Sequence, residues 1–273
     1  MENLDRLTLY DALKAARLGR EVLLHYFGRI ENISEKHLAG LVSEADRESE
    51  QVIFEFLKKR FPEDDFLGEE GSVQGYKAEK KPGTRGRWIV DPLDGTTNYI
   101  HRFPIFTVSI GFELDGKIQV AVVDAPKMNE VYSAVRGEGA FLNGERLRVS
   151  RTPNLKKSLL ATGFFGDHED ALQEQLKIFS SVVRKCRGIR RAGAASYDLA
   201  QVARGTFDAF WEKNLSPWDT AAGSLLVEEA GGKVSTYRTN SFHVYQRTIL
   251  SSNGVIHREI QEALAPHLDG SSD

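Results

Sequence analysis

A chain of 273 residues is long enough for one large domain or two of ordinary size, with a full hydrophobic core and no need of disulfides or structural metal. Its 36 Lys and Arg against 39 Asp and Glu leave a formal charge of −3, which argues against the basic balance of a dedicated nucleic-acid binder. Apolar residues at 41% and charged residues at 27% exclude a disordered composition, and no apolar run approaches the roughly 18 residues of a membrane span. The N-terminus, Met1 to Arg6, mixes its charges and lacks the basic-then-apolar order of an export signal, so the expected location is the cytoplasm. The one cysteine, Cys186, fits a reducing compartment and has no nucleophile context.

From Leu9 the residues Ala12, Leu13, Ala16, Leu23, Leu24 and Phe27 recur at helical spacing, with Gly28 as a stop. Ser43-Glu44-Ala45-Asp46 has the form of a helix N-cap with an acid three positions on, and Val52, Ile53, Phe56 and Leu57 supply its apolar face as far as Pro62. Gly71 to Arg87 reads as a loop or hairpin tip. Trp88-Ile89-Val90 is a buried-strand signal that ends in a polar turn, Asp91 to Asn98. Phe106–Phe112, Ile118–Val123, Val131–Val135 and Ala140–Leu142 then predict an antiparallel meander with turns at Asp115-Gly116, Pro126-Lys127 and Asn143-Gly144. After Arg151-Thr152-Pro153, strands over Leu159–Thr162 and Phe207–Trp211 alternate with helices over Glu169–Val183, Ser196–Ala203 and Thr220–Ala230. The change of pattern places a domain boundary near Ser150, giving an N-terminal α+β domain over 1–150 and a C-terminal α/β domain over 151–273.

Asp91 and Asp94 flank Pro92-Leu93 in one turn after a strand, so two carboxylates and the Leu93 carbonyl can converge. Carboxylates crowded in this way repel unless protonated or bridged by cations. A hard divalent ion such as Mg²⁺ takes oxygen donors, whereas softer metals call for His or Cys, and the seven histidines show no paired ligand spacing. Gly95-Thr96-Thr97 follows and can open a helix whose free N–H groups face an anion. Glu69, in Gly68-Glu69-Glu70-Gly71, and Asp219, in Pro217-Trp218-Asp219-Thr220, are further acids, the latter placed to cap a helix.

Leu93-Asp94-Gly95-Thr96 resembles the haloacid dehalogenase core, but Pro92 stands where that family needs its nucleophilic Asp. Gly68-Glu69-Glu70, Trp88 to Asn98, Pro217-Trp218-Asp219 and Glu228-Glu229-Ala230-Gly231-Gly232 together closely resemble the inositol monophosphatase family of Mg²⁺-dependent, lithium-sensitive phosphatases. The similarity runs from Leu41 to Asn253. It implies an α+β fold, the layered α-β-α-β-α sandwich shared with fructose-1,6-bisphosphatase, and a homodimer. It also implies two to three Mg²⁺ ions. Glu69, Asp91 and the Leu93 carbonyl resemble ligands of a first ion, and Asp91, Asp94 and Asp219 those of a second. Catalytic roles then fall to Glu69, Asp94, Thr96 and Asp46, with Thr96 and Asp46 activating water. Substrate contacts fall to Gly95, Thr96, Gly193, Ala195, Glu212 and Asp219, of which Glu212 and the Gly193-Ala194-Ala195 segment resemble the groups beside a polyol ring. Most ligands thus come from the first domain, and the second supplies Asp219 and the substrate contacts.

The expected activity is hydrolysis of myo-inositol 1-phosphate and related polyol or sugar phosphates, with no membrane or nucleic-acid partner. Alternatives are a fructose-1,6-bisphosphatase, a 3′-phosphoadenosine 5′-phosphate phosphatase, a histidinol phosphatase, or a dimeric binding platform with secondary catalysis.

Overall fold

Central strands buried on both faces are what stack this chain into layers. The computed structural model describes residues 2–30, 33–35, 41–72, 80–164 and 169–268. Lys36, the 73–79 part of the predicted Gly71–Arg87 loop and the tail Asp269–Asp273 lie outside the described residues. In chain order the elements are α1 (Glu2–Tyr26), β1 (Ile33–Glu35), β2 (Leu41–Ser43), α2 (Glu44–Arg60), β3 (Asp65–Gly68), β4 (Arg87–Asp94), α3 (Thr96–Ile100), β5 (Thr107–Leu114), β6 (Lys117–Ala125), β7 (Glu130–Val135), β8 (Gly139–Leu142) and β9 (Glu145–Arg146). There follow β10 (Leu159–Thr162), α4 (Glu169–Val183), β11 (Gly188–Arg190), α5 (Ala195–Arg204), β12 (Ala209–Lys213), α6 (Pro217–Glu229), β13 (Lys233–Ser235), β14 (Thr248–Ser252) and α7 (His257–Leu264). None of the described helices is long and apolar enough to cross a membrane.

The first large sheet runs in order from β3 to β9, with β3 parallel to β4 and each later neighbour antiparallel, so the expected meander is present. The second has the order β11-β10-β12-β14-β13, with β14 antiparallel to both its neighbours. Trp88 and Val90 of β4, and Val120 and Val122 of β6, pack on α1 and α2, while Ile89, Ala121 and Val123 point the opposite way, toward α5 and α6. On β12, Phe210 faces α5 and α6, and Ala209 and Trp211 face α4 and α7. Period-2 side-chain alternation with both faces apolar requires cover on both sides of each sheet. The layers are therefore α1/α2, first sheet, α5/α6, second sheet and α4/α7, an α-β-α-β-α sandwich. The chain passes from the first sheet to the second between Arg146 and Leu159.

Helix α4 spans Glu169–Val183 as expected, while α1, beginning at Glu2, and α6, beginning at Pro217, start earlier than the apolar spacing alone predicts. Ser43 and Asp46 do form a capping box at the start of α2.

Candidate functional site

The site is built around a break in β4. Asp91 pairs with Ser109 and Asp94 with Thr107, so two residues, Pro92 and Leu93, stand opposite Val108 alone. In a regular strand, residues three apart point to opposite faces; one extra residue turns both carboxylates to the same side. Pro92, which has no N–H for the ladder, is tolerated at such a bulge. The Leu93 N–H donates to Asp91 Oδ1 at 3.0 Å, closing the turn around the first carboxylate. Gly95 follows with φ +92°, and an added Cβ would lie 3.1 Å from the Ile105 carbonyl and 3.3 Å from that of Gly193. Only glycine lets the turn come this close to the 193–194 segment.

Helix α2 supports the turn with one face. Asp46, Ser49 and Glu50, at positions i, i+3 and i+4, are all buried, the first two directed at the turn and Glu50 at the 68–71 segment beside it. Asp46 Oδ2 accepts from the Ser43 N–H at 2.8 Å and the Ser43 hydroxyl at 2.6 Å, leaving Oδ1 for the Thr96 hydroxyl at 3.0 Å. That hydroxyl also lies 3.1 Å from the Leu93 carbonyl, so one proton serves two acceptors. The Ser49 hydroxyl donates to the Pro92 carbonyl at 3.0 Å. Glu50 accepts from the Glu70 N–H at 3.0 Å, fixing the chain beside Glu69. Gly68 makes room for this, since a Cβ there would sit 2.1 Å from Glu50 Oε1.

The second half of the chain closes the site. Asp94 accepts from the N–H of Ala195 at 3.2 Å and from the N–H and hydroxyl of Ser196 at 2.7 and 2.6 Å, so it receives the start of α5. Asn98 donates to the carbonyls of Ile105 and Ala192 at 2.8 and 2.7 Å and ties Gly193 to α3. Glu212 on β12 is buried against Gly163, where a Cβ would meet its carboxylate oxygens at 2.1 and 2.2 Å. Glu212 is therefore no solvent-facing acid at a strand end. Asp219 is not the N-cap of α6; Ser216 is, and Asp219 at the third helical position accepts the Ser216 N–H at 2.7 Å.

These acids feel one another. Burial pushes the Asp94 carboxyl up to about 6, the Ser196 hydrogen bonds pull it back, and the Glu69 charge raises it again. Burial, then the Asp94 and Glu69 charges, hold Asp219 well above the ordinary carboxylate range. Glu212 is pushed up to about 8 by burial, against the opposing Arg191 guanidinium, with Asp94 adding to the rise. Asp198 of α5, absent from the sequence reading, is buried beside them, and burial followed by the Glu212 and Asp94 charges raises it strongly. Ser196, Ser49 and Glu50 were missed too; only the i, i+3, i+4 spacing of the last two with Asp46 could have exposed them.

Among the described residues no three His, Cys, Asp or Glu side chains form a ready ligand array: Asp91 bonds its own turn, Asp94 the start of α5 and Asp219 the start of α6. The donor chemistry nevertheless fits a hard cation. Buried Asp94 and half-buried Glu69 and Asp219 are acids that repel one another, a situation a divalent ion relieves and an apolar or anionic ligand worsens.

A five-layer sandwich with repelling acids gathered around the β4 bulge defines a protein with a site for a hard divalent cation. The chain belongs to the inositol monophosphatase family, whose model matches residues 5–272. It is 45% identical over 264 residues to a Pseudomonas aeruginosa protein named Nus factor SuhB, covering 95% of this chain and 96% of that one. It is 43% identical over 258 residues to an inositol-1-monophosphatase of Caulobacter vibrioides, covering 92% and 98%. The crystal structure of the extragenic suppressor protein SuhB from Bartonella henselae matches with a TM-score of 0.86 at 39% identity, covering 94% of this chain and 98% of that one.

Proposed function

We propose that this phosphatase hydrolyses myo-inositol 1-phosphate and related polyol or sugar phosphates, using two to three Mg²⁺ ions, as a cytoplasmic homodimer. The observation that supports it most is the Asp46–Thr96–Leu93 array beside the bulged Asp91/Asp94 turn, which leaves one hydroxyl poised to exchange its proton. Glu69, Asp91, the Leu93 carbonyl, Asp94 and Asp219 would hold the ions. When bound, they lower the pKa of water and neutralise charge on the departing oxygen.

The chain's own residues supply the rest. Thr96 accepts a proton from the attacking water while passing its own to Asp46 Oδ1, the oxygen that already accepts its hydroxyl at 3.0 Å. The resulting hydroxide attacks phosphorus in line, the P–O bond to the alcohol breaks with its electron pair on the departing oxygen, which takes a proton from solvent water, Asp46 returns its proton to solvent, and no phosphorylated residue intervenes. Gly95 and Thr96 amides face the phosphate, and Gly193, Ala195 and Glu212 face the ring. Thr96→Val is expected to reduce kcat by about 100-fold with KM little changed, as for loss of one proton-transfer group. Steady-state kinetics that gave Thr96→Val the wild-type kcat would remove Thr96 from this role.

Phosphate release from inositol 1-phosphate, fructose 1,6-bisphosphate, 3′-phosphoadenosine 5′-phosphate and histidinol phosphate, with and without Mg²⁺, tests the reading. Mg²⁺-dependent turnover led by the inositol ester supports it. A nucleotide that outpaces inositol phosphate by orders of magnitude overturns the substrate, and trapping of a phosphorylated Asp overturns the mechanism.

The name Nus factor on the P. aeruginosa relative favours a second reading, a platform for a macromolecular partner. A partner that co-purifies equally with wild type and Asp94→Asn would support that reading, and no specific partner would leave the enzyme alone.

A further inference from the structure

Ser196, which bonds Asp94, and Thr107, which has no role above, are both fully buried, with relative exposures of 0%, directly behind Asp94. Thr107 is the β5 residue paired with Asp94 across the bulge, and Ser196 is the second residue of α5. Their hydroxyl oxygens are 2.6 Å apart. The Ser196 hydroxyl has a single proton, and Asp94 Oδ2, a carboxylate oxygen, takes it at 2.6 Å. Thr107 must then be the donor to Ser196, so the chain has one direction: Thr107 to Ser196 to Asp94.

The two Asp94 oxygens are consequently unequal. Oδ2 receives two short bonds, from the Ser196 N–H and hydroxyl, which occupy the two lone-pair directions of a carboxylate oxygen. Oδ1 receives one long bond of 3.2 Å from the Ala195 N–H and keeps a direction open. We infer that Ser196, oriented by Thr107, is a positioning residue that locks Asp94 so that Oδ1 alone is offered to the divalent ion. The inference rests on the functional reading above and adds to it a named oxygen and two supporting residues.

Groups that orient a ligand from behind typically govern metal affinity by 10–100-fold. In calorimetry with Mg²⁺ alone, Ser196→Ala should weaken binding by about 10–100-fold and Thr107→Val by a smaller factor, with Thr107→Ser restoring the wild-type isotherm. In turnover assays the Mg²⁺ concentration for half-maximal rate should rise by the same factors, while kcat at saturating Mg²⁺ stays near wild type. A simple packing defect would instead lower kcat at every Mg²⁺ concentration and shift the metal-free melting temperature. An unchanged Mg²⁺ isotherm for Ser196→Ala, or loss of kcat without loss of affinity, overturns the inference and leaves the functional reading standing. Should Ser196→Ala fail to fold, Thr107→Val and Thr107→Ser give the same comparison. A wild-type protein that binds no Mg²⁺ overturns the functional reading and this inference with it.

Discussion

Asp94→Asn is expected to reduce Mg²⁺-dependent phosphate release by about 1,000-fold or more while leaving the metal-free protein as stable as the wild type. The two effects have separate causes. Activity falls because the amide removes a negative donor from the ion site. Stability holds because the amide oxygen can take the place of Oδ2 and keep both short Ser196 bonds, giving up only the long bond from Ala195. Loss of the charge also relieves repulsion with Glu69 and Asp219. Phosphate-release assays and thermal melts in chelator check both parts, and a variant that kept a tenth of wild-type activity would remove Asp94 from the centre of the site.

The second large effect concerns Glu212. Its carboxyl titrates at about 8 in the folded protein against an ordinary value of 4.5, because burial outweighs the nearby Arg191 and is reinforced by Asp94. A raised acid contributes stability that is fully present below about pH 4.5 and is lost as pH rises through 8. The metal-free protein should therefore weaken across that window, Glu212 accounting for on the order of 4 kcal/mol. Asp94, Asp198 and Arg191 face the same space, so the wild-type curve compared with Glu212→Gln isolates this group. Parallel pH curves for the two proteins would show that Glu212 does not titrate in the window. Gly163→Ala tests the same carboxyl sterically: the new Cβ must displace the end of the Glu212 side chain, raising KM for inositol 1-phosphate by about 10-fold with the fold intact. An unchanged KM would take Glu212 away from the ring.

What the sequence made legible was local. The capping box at Ser43, the strand signal of Trp88 to Val90, the meander and the helix stop at the left-handed Gly28 all follow from neighbours within a few positions. β14 escaped notice because Thr248–Ser252 mixes hydroxyls with two aliphatics, yet it is buried throughout, where Ser252 bonds His257 at 2.8 Å. β3, β11 and β13 are only three or four residues long and carry too little periodicity to read. In the site, residue types and spacing pointed to Glu69, Asp91, Asp94 and Asp219 and the family resemblance added Glu212, but the hydrogen-bond partners come from afar: Ser196 lies 102 positions from Asp94. Such pairings depend on which layers stack, and no local pattern encodes them.

The shared middle layer has a consequence for how the enzyme is made. Helices α5 and α6 are roofed by one sheet and floored by the other, and Asp94 from the first sheet grips the start of α5. A nascent chain released before β12 and β14 have joined would hold its acids on an open ledge, without Glu212 or Asp219 to complete them. A chain cut short before β12 is therefore expected to release no phosphate from phosphate esters, a result that assays of truncated chains check.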